Sequence, residues 1–131
     1  MTARTILVVD DEEAIRRVLS RALTRMGHSV HTAMGGEEAC ELLNAVRVDA
    51  VLMDLRMPTM SGQTLFHMIA TQWPHLASRV IIMSGDPNAQ DHEDWLNLHD
   101  LPVITKPFDI EQITDIITRL TAEERREANG L

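Results

Sequence analysis

The sequence predicts a doubly wound α/β fold, in which helices cover both faces of a five-stranded parallel sheet. Three observations support this prediction. Short apolar runs alternate with amphipathic stretches, three of the runs are almost continuous in valine, isoleucine, leucine and methionine, and no repeat or linker divides the 131 residues. Strands have this continuous apolar character when helices cover both faces of their sheet. A chain of this length fits one domain of ordinary size.

Five segments have the character of strands, because each is short, apolar and bounded by polar or turn-forming residues. They are Thr5–Val9, Ser29–Ala33, Ala50–Met53, Arg79–Met83 and Val103–Thr105. The segment Ser29–Ala33 is the most polar of the long ones. This polarity predicts that it lies at an edge of the sheet, where one side of the strand has no neighbour.

Apolar residues repeat at helical spacing between the predicted strands. These stripes span residues 15–26, 39–46, 65–73 and 110–120, and a weaker, acidic pattern spans Asp91–Leu98. Gly27 is a natural stop for the first helix, and Pro74 for the third. Ser61 and Asp109 are candidate N-caps for the third and the last helix.

The composition restricts the classes of partner. A formal net charge of -8 repels phosphate backbones, so a direct nucleic-acid partner is not expected, whereas a divalent cation or a basic protein surface is. The single cysteine, Cys40, excludes an intrachain disulfide. No apolar stretch approaches the roughly 20 residues of a membrane span, and no signal peptide is recognisable. We therefore expect a cytoplasmic protein that does not contact membranes.

Chemically active side chains follow four of the predicted strands. Asp10 and Asp11 follow the first strand, Asp54 the third, Ser84 the fourth and Lys106 the fifth. Ligands of open α/β sheets bind outside the carboxyl ends of the strands. We therefore expect these five side chains to meet at one edge of the sheet.

This set of groups suits phosphoryl transfer to a carboxylate. Three neighbouring carboxylates repel one another, and a bound Mg²⁺ would neutralise them. The carboxylate of Asp54 can then attack phosphorus, while Lys106 pairs with the phosphoryl oxygens and Ser84 donates a hydrogen bond. Lys106 is the only lysine among 12 basic residues, which indicates that a compact ammonium is preferred there.

A purely structural alternative exists for the acid pair, because aspartate is a good helix N-cap. Asp10 and Asp11 would then only cap the helix that follows. The acidic run from Asp10 to Glu13 is longer than capping requires, however. Metal binding is therefore the preferred interpretation.

Four segments resemble the signature segments of response-regulator receiver domains of two-component signalling, in their order and spacing. They are Asp10-Asp11, Met53-Asp54-Leu55-Arg56-Met57-Pro58, Met83-Ser84-Gly85 and Thr105-Lys106-Pro107-Phe108. The resemblance covers roughly residues 4–121. A looser resemblance points to the receivers that occur as single domains. We predict a receiver domain over residues 1–121, and a polar tail or helix extension over residues 122–131.

The resemblance implies a role for each residue of the set. Asp54 would be the phosphoacceptor, with Ser84 and Lys106 as the catalytic hydroxyl and ammonium. Asp10, Asp11, Asp54 and the backbone carbonyl of Arg56 would bind Mg²⁺. The resemblance also implies a flavodoxin-like strand order of 2-1-3-4-5 and a cis peptide bond before Pro107.

The implied function is a signalling switch and not an enzyme acting on external substrates, since a receiver catalyses only its own phosphorylation and dephosphorylation. The donor would be a histidine kinase or a phosphotransfer protein, and the effect would pass on by protein contact or phosphorelay to a downstream protein. Homodimerisation is left open. One alternative is a Mg²⁺-dependent phosphatase with an aspartyl nucleophile, but Arg56 stands where such an enzyme needs a second acid. The other is a pseudo-receiver that works without phosphorylation, which the complete residue set disfavours.

The chain departs from the family pattern at Val103. Receivers often carry tyrosine or phenylalanine three residues before the lysine, and this aromatic ring turns inward on activation. This chain has valine there and no tyrosine at all. We therefore predict that activation is reported by the loop after Ser84 and by Asp91–Leu98, without an aromatic rotamer switch.

Overall fold

The computed structural model describes residues 3–85 and 90–129. Its elements, in chain order, are β1 (Thr5–Val9), α1 (Glu13–Arg25), β2 (Ser29–Ala33), α2 (Gly36–Ala45), β3 (Ala50–Asp54), α3 (Gly62–Gln72), a 3₁₀ helix (Pro74–Arg79), β4 (Val80–Ser84), α4 (Gln90–His99), β5 (Val103–Thr105) and α5 (Ile110–Asn129). In the part of the chain so described, no helix has both the length and the apolar character needed to cross a bilayer.

The five strands form one parallel sheet in the order β2-β1-β3-β4-β5. The predicted fold class and strand order are thereby confirmed. The more polar strand, Ser29–Ala33, is at an edge, as its composition predicted. Every connection between neighbouring parallel strands contains a helix, which is the usual solution for a parallel sheet.

Alternate residues of each strand face opposite sides of the sheet and build two separate cores. Leu7 and Val9 of β1 belong to the core that α2, α3 and Leu96 of α4 cover. Ile6 and Val8 belong to the core that α1 and α5 cover. The sheet is therefore buried on both faces, which explains why its central strands are almost entirely apolar.

The ends of three helices agree with the sequence prediction. The side-chain oxygen of Ser61 accepts a hydrogen bond from the amide of Thr64, 3.2 Å away, at the start of α3. Asp109 accepts one from the amide of Glu111, at 2.9 Å, at the start of α5. Gly27, just beyond α1, has a φ of 95°, which glycine adopts without strain.

The fourth strand begins and ends one residue later than the predicted Arg79–Met83. Pro74 stops α3 but also begins the 3₁₀ helix, which the sequence pattern did not reveal and which includes Arg79. Arg79 is buried, and its Nη1 lies 3.4 Å from the carbonyl oxygen of Asp49. Arg79 thus joins the connection that precedes β4 and not the strand itself.

His28 directly precedes β2, so it lies at the end of the sheet opposite to the carboxyl ends where the site is predicted. It is buried, with an exposed fraction of 5%. Its Nδ1 accepts a hydrogen bond from the amide of Arg4, 3.1 Å away. Among the residues described, Nε2 has no hydrogen-bond partner. Burial lowers the pKa of His28 below its ordinary value of 6.5.

Candidate functional site

The register of the sheet places Asp10 beside Asp54. Val9 pairs with Met53, and the two aspartates are the next residues along β1 and β3. Both are buried, with exposed fractions of 0% and 8%, whereas Asp11 is exposed. Carboxylate oxygens of the three residues lie within 4.8 Å of one another. The sequence prediction that three acids meet at this edge is therefore correct, and hard oxygen ligands at this spacing suit Mg²⁺.

Lys106 joins two of these carboxylates. Its Nζ donates hydrogen bonds to Oδ2 of Asp10, at 3.0 Å, and to Oδ2 of Asp54, at 2.9 Å. Burial lowers the pKa of Lys106, but the hydrogen bonds and negative charges of Asp54 and Asp10 outweigh this effect and raise it above its ordinary value. Lys106 is therefore a permanent positive charge between two buried acids.

The other oxygen of each buried carboxylate accepts a hydrogen bond from a backbone amide. Oδ1 of Asp10 accepts from Glu12, at 2.9 Å, and Oδ1 of Asp54 accepts from Arg56, at 3.1 Å. Glu12 is the N-cap residue of α1 and makes no side-chain capping bond. The acid pair is therefore not a conventional helix cap, and the carboxylate of Asp11 makes no hydrogen bond within the described part of the chain.

Ser84 is the last residue of β4, and only 4% of it is exposed. It pairs with Thr105 in the sheet, and its carbonyl oxygen accepts a hydrogen bond from the amide of Lys106, at 2.8 Å. The bond between Lys106 and Pro107 is cis, as the resemblance implied. The strand ends thus bring Ser84 and Lys106 to the edge where the acids lie.

Two residues at this edge of the sheet were not predicted from the sequence to belong to the site. Nη1 of Arg16, in α1, donates a 2.7 Å hydrogen bond to the backbone carbonyl of Asp10. Gly62 begins α3 against the end of β3, where an added Cβ would lie only 2.5 Å from the carbonyl oxygen of Asp54. The glycine at the first helical position was a visible signal, since glycine is a poor helix former. Nothing in the pattern distinguished Arg16 from Arg17.

Comparison with known proteins agrees with this geometry. Residues 6–118 match the family described as the response regulator receiver domain. The chain is 33% identical to the regulatory protein AtoC of Escherichia coli over 120 residues, which are 91% of this chain and 26% of that protein. It is 31% identical to the response regulator MprA of Mycolicibacterium vanbaalenii over 121 residues, 92% of this chain and 50% of that protein. The chain thus spans about a quarter to a half of these curated relatives.

Solved structures include similar folds. The signal receiver domain of an HD domain-containing protein from Pseudomonas fluorescens superposes with a TM-score of 0.82 at 27% identity, covering 96% of this chain and 99% of that one. The response regulator protein TrrA from Thermotoga maritima, in complex with Mg²⁺-BeF, gives a TM-score of 0.77 at 26% identity, covering 89% of this chain and 98% of that one. With the match over residues 6–118, the chain belongs to the family of response regulator receiver domains.

Proposed function

We propose that this receiver accepts a phosphoryl group on Asp54 from a histidine kinase or a phosphotransfer protein, in a reaction that requires Mg²⁺. The observation that carries the proposal is the arrangement around Lys106. One ammonium is held between the buried carboxylates of Asp10 and Asp54, and Asp11 completes the acid cluster. A nucleophile, a cation site and a phosphoryl-binding ammonium therefore lie within one group of contacts.

The residues that would hold Mg²⁺ are Asp10, Asp11, Asp54 and the backbone carbonyl of Arg56. The ion would supply positive charge that neutralises the acids and the incoming phosphoryl group. TrrA, whose structure contains Mg²⁺-BeF, is a relative at 26% identity and supports this assignment. The exposed Asp11 gives the site an open side, through which a donor protein can reach Asp54.

Transfer to Asp54 forms a bond between a carboxylate oxygen and phosphorus. The bond between phosphorus and the donor, a histidine nitrogen in a kinase or phosphotransfer protein, breaks at the same time. We propose that Lys106 then shifts its hydrogen bonds from the carboxylates to phosphoryl oxygens, and that Ser84 donates its hydroxyl to another. The work of the protein is mainly positioning and charge stabilisation.

We further propose that α4 reports activation in this chain, since Val103 replaces the usual aromatic residue. Trp95 and His99 of α4 contact Phe66 of α3 through ring edges, with centroids 5.4 Å and 4.9 Å from that of Phe66. Phe66 belongs to the same buried core as Met53, the residue before Asp54, so these rings extend that core to α4. Residues 86–89, in the loop that was also expected to respond, lie outside the described residues.

The signal would pass on in the cytoplasm, by contact with a downstream protein or by onward phosphoryl transfer. The chain's net charge of -8 favours a protein partner over direct contact with nucleic acid. AtoC and MprA are named as regulators and are much longer than this chain. What the relatives do beyond their receiver domains is therefore not part of the proposal, and homodimerisation is left open.

Intact-mass spectrometry after incubation with acetyl phosphate tests the phosphorylation, with and without Mg²⁺. We expect one base-labile phosphoryl adduct that requires Mg²⁺ and is lost in Asp54→Asn. Asp100→Asn is the matched control, because Asp100 is exposed and its φ of 50° suits asparagine as well as aspartate. An adduct on Asp54→Asn at the wild-type level would refute the assigned acceptor. No adduct on wild type, even from a phosphohistidine donor, would favour a phosphorylation-independent receiver.

A further inference from the structure

Arg16 makes a contact with the acid pair that no part of the proposed chemistry uses. Its Nη1 donates a hydrogen bond of 2.7 Å to the backbone carbonyl of Asp10, six residues earlier in the chain. Arg16 lies in the first half of α1 and is half-buried, whereas its neighbour Arg17 is exposed. The contact joins the helix that follows β1 to the peptide that connects Asp10 with Asp11.

This bond completes the fixation of Asp10. The amide of Asp10 donates a hydrogen bond to the edge strand β2. Its two carboxylate oxygens accept hydrogen bonds from the amide of Glu12 and from Lys106. Its carbonyl oxygen accepts the hydrogen bond from Arg16. The direction of that carbonyl sets the plane of the peptide group that joins Asp10 to Asp11. Asp11 has no side-chain hydrogen bond of its own among the described residues, so its direction depends on this plane.

We infer that Arg16 is a positioning residue, which orients the Asp10–Asp11 peptide so that the carboxylate of Asp11 faces the same cation as those of Asp10 and Asp54. The inference rests on the Mg²⁺ site proposed above. Bonds that orient a metal ligand typically change metal affinity by roughly 10–100-fold. A guanidinium close to a cation site has the opposite electrostatic effect, because like charges repel. Removing Arg16 therefore weakens Mg²⁺ binding through the lost orientation of Asp11 and strengthens it through the lost repulsion of the guanidinium.

The test compares Arg16→Ala with Arg17→Ala in the full chain. Both variants remove one positive charge from the same turn of α1, but Arg17 pairs with Glu13 on the surface, at 2.9 Å. Mg²⁺ dissociation constants are measured by following backbone amides in two-dimensional ¹H–¹⁵N NMR. We expect Arg16→Ala to bind Mg²⁺ roughly tenfold more weakly. Arg17→Ala should bind as tightly as wild type or slightly more tightly.

A metal-free readout accompanies the titration. The ¹⁵N shift of the Asp11 amide responds to a hydrogen bond on the preceding carbonyl. It should therefore move in Arg16→Ala and stay in place in Arg17→Ala, before any Mg²⁺ is added. Should Arg16→Ala fail to fold, Arg16→Lys and Arg17→Lys repeat the comparison at constant charge. Lysine keeps the positive charge but places a single donor nitrogen on a different stem, so Arg16→Lys should bind Mg²⁺ with an intermediate affinity.

The outcomes separate the inference from the function on which it rests. Equal Mg²⁺ affinities in the two alanine variants, or tighter binding in Arg16→Ala, would overturn the positioning role while leaving the receiver chemistry intact. Wild-type protein that binds no Mg²⁺ would overturn both. Weaker binding confined to the Arg16 variants, together with the shifted Asp11 amide, would establish the role.

Discussion

Replacing Gly62 with alanine adds one methyl group against the strand that carries Asp54. Gly62 begins α3, and its amide donates a 2.9 Å hydrogen bond to the carbonyl of Leu55. The added Cβ would lie 2.5 Å from the carbonyl oxygen of Asp54 and 2.7 Å from the Cα of Leu55. Both are backbone atoms that cannot rotate away, so α3 must move relative to β3.

The cost of this movement can be estimated from two opposing effects. Overpacking by one methyl group costs about 1–3 kcal/mol. Alanine also restricts the unfolded chain more than glycine does, and this raises the free energy of unfolding by about 0.4–1 kcal/mol. From the middle of each range, about 2 and about 0.7 kcal/mol, we expect a net loss of about 1–1.5 kcal/mol in the free energy of unfolding. With a urea m-value of about 2 kcal/mol/M, the unfolding midpoint should fall by about 0.5–0.75 M.

Urea unfolding followed by circular dichroism measures the loss, with Gly35→Ala as the matched control. A Cβ on Gly35, the N-cap of α2, meets no atom within 4 Å. Its stability should change little, because alanine is a poorer N-cap than glycine but also stiffens the unfolded chain. Gly62→Ala should also be phosphorylated more slowly, since the shift displaces Asp54. Equal unfolding midpoints for the two variants would refute the close packing of α3 on β3.

Burial holds the pKa of His28 below 6.5, so the unfolded state binds this proton first and stability is lost as the pH falls below that value. His28→Gln should flatten this acid slope of the urea midpoint, and an unchanged slope would contradict the burial of a neutral ring. Lys106→Met leaves the carboxylate of Asp10 buried without its cation and should cost about 3 kcal/mol in EDTA. Mg²⁺ should restore part of that stability, and an equal loss with and without Mg²⁺ would count against a shared cation site. In Trp73→Phe, which leaves Trp95 as the single tryptophan, emission should change when Mg²⁺ and beryllofluoride are added. A constant emission from protein that is phosphorylated normally would disprove the readout through α4.

The sheet could be predicted from the sequence because burial on both faces determines which residues its central strands contain. The segments Thr5–Val9, Ser29–Ala33 and Val103–Thr105 are strands with the predicted bounds. Each strand lies between helices, so nearly every side chain in the central strands is apolar, and the first polar residue marks where the strand ends. The same polar residues form the site, since parallel strands end at one edge.

The parts that were missed depend on contacts that no local pattern encodes. The 3₁₀ helix from Pro74 to Arg79 contains no apolar periodicity, and it is completed by a contact between Arg79 and Asp49, which is distant in sequence. The bond from Arg16 to Asp10 depends on where α1 begins relative to β1. A change of one residue in that starting point would bring a different side chain to the carbonyl.

The single lysine of the chain acquires a physical explanation from the same geometry. An ammonium offers three donors around one atom, and Lys106 directs two of them to oxygens of different carboxylates, at 3.0 Å and 2.9 Å. A planar guanidinium is suited to binding both oxygens of one carboxylate and would favour Asp10 or Asp54 over the pair. Because an ammonium has no plane to reorient, it can exchange a carboxylate oxygen for a phosphoryl oxygen with a small rotation. Arginine occupies the other eleven basic positions of the chain.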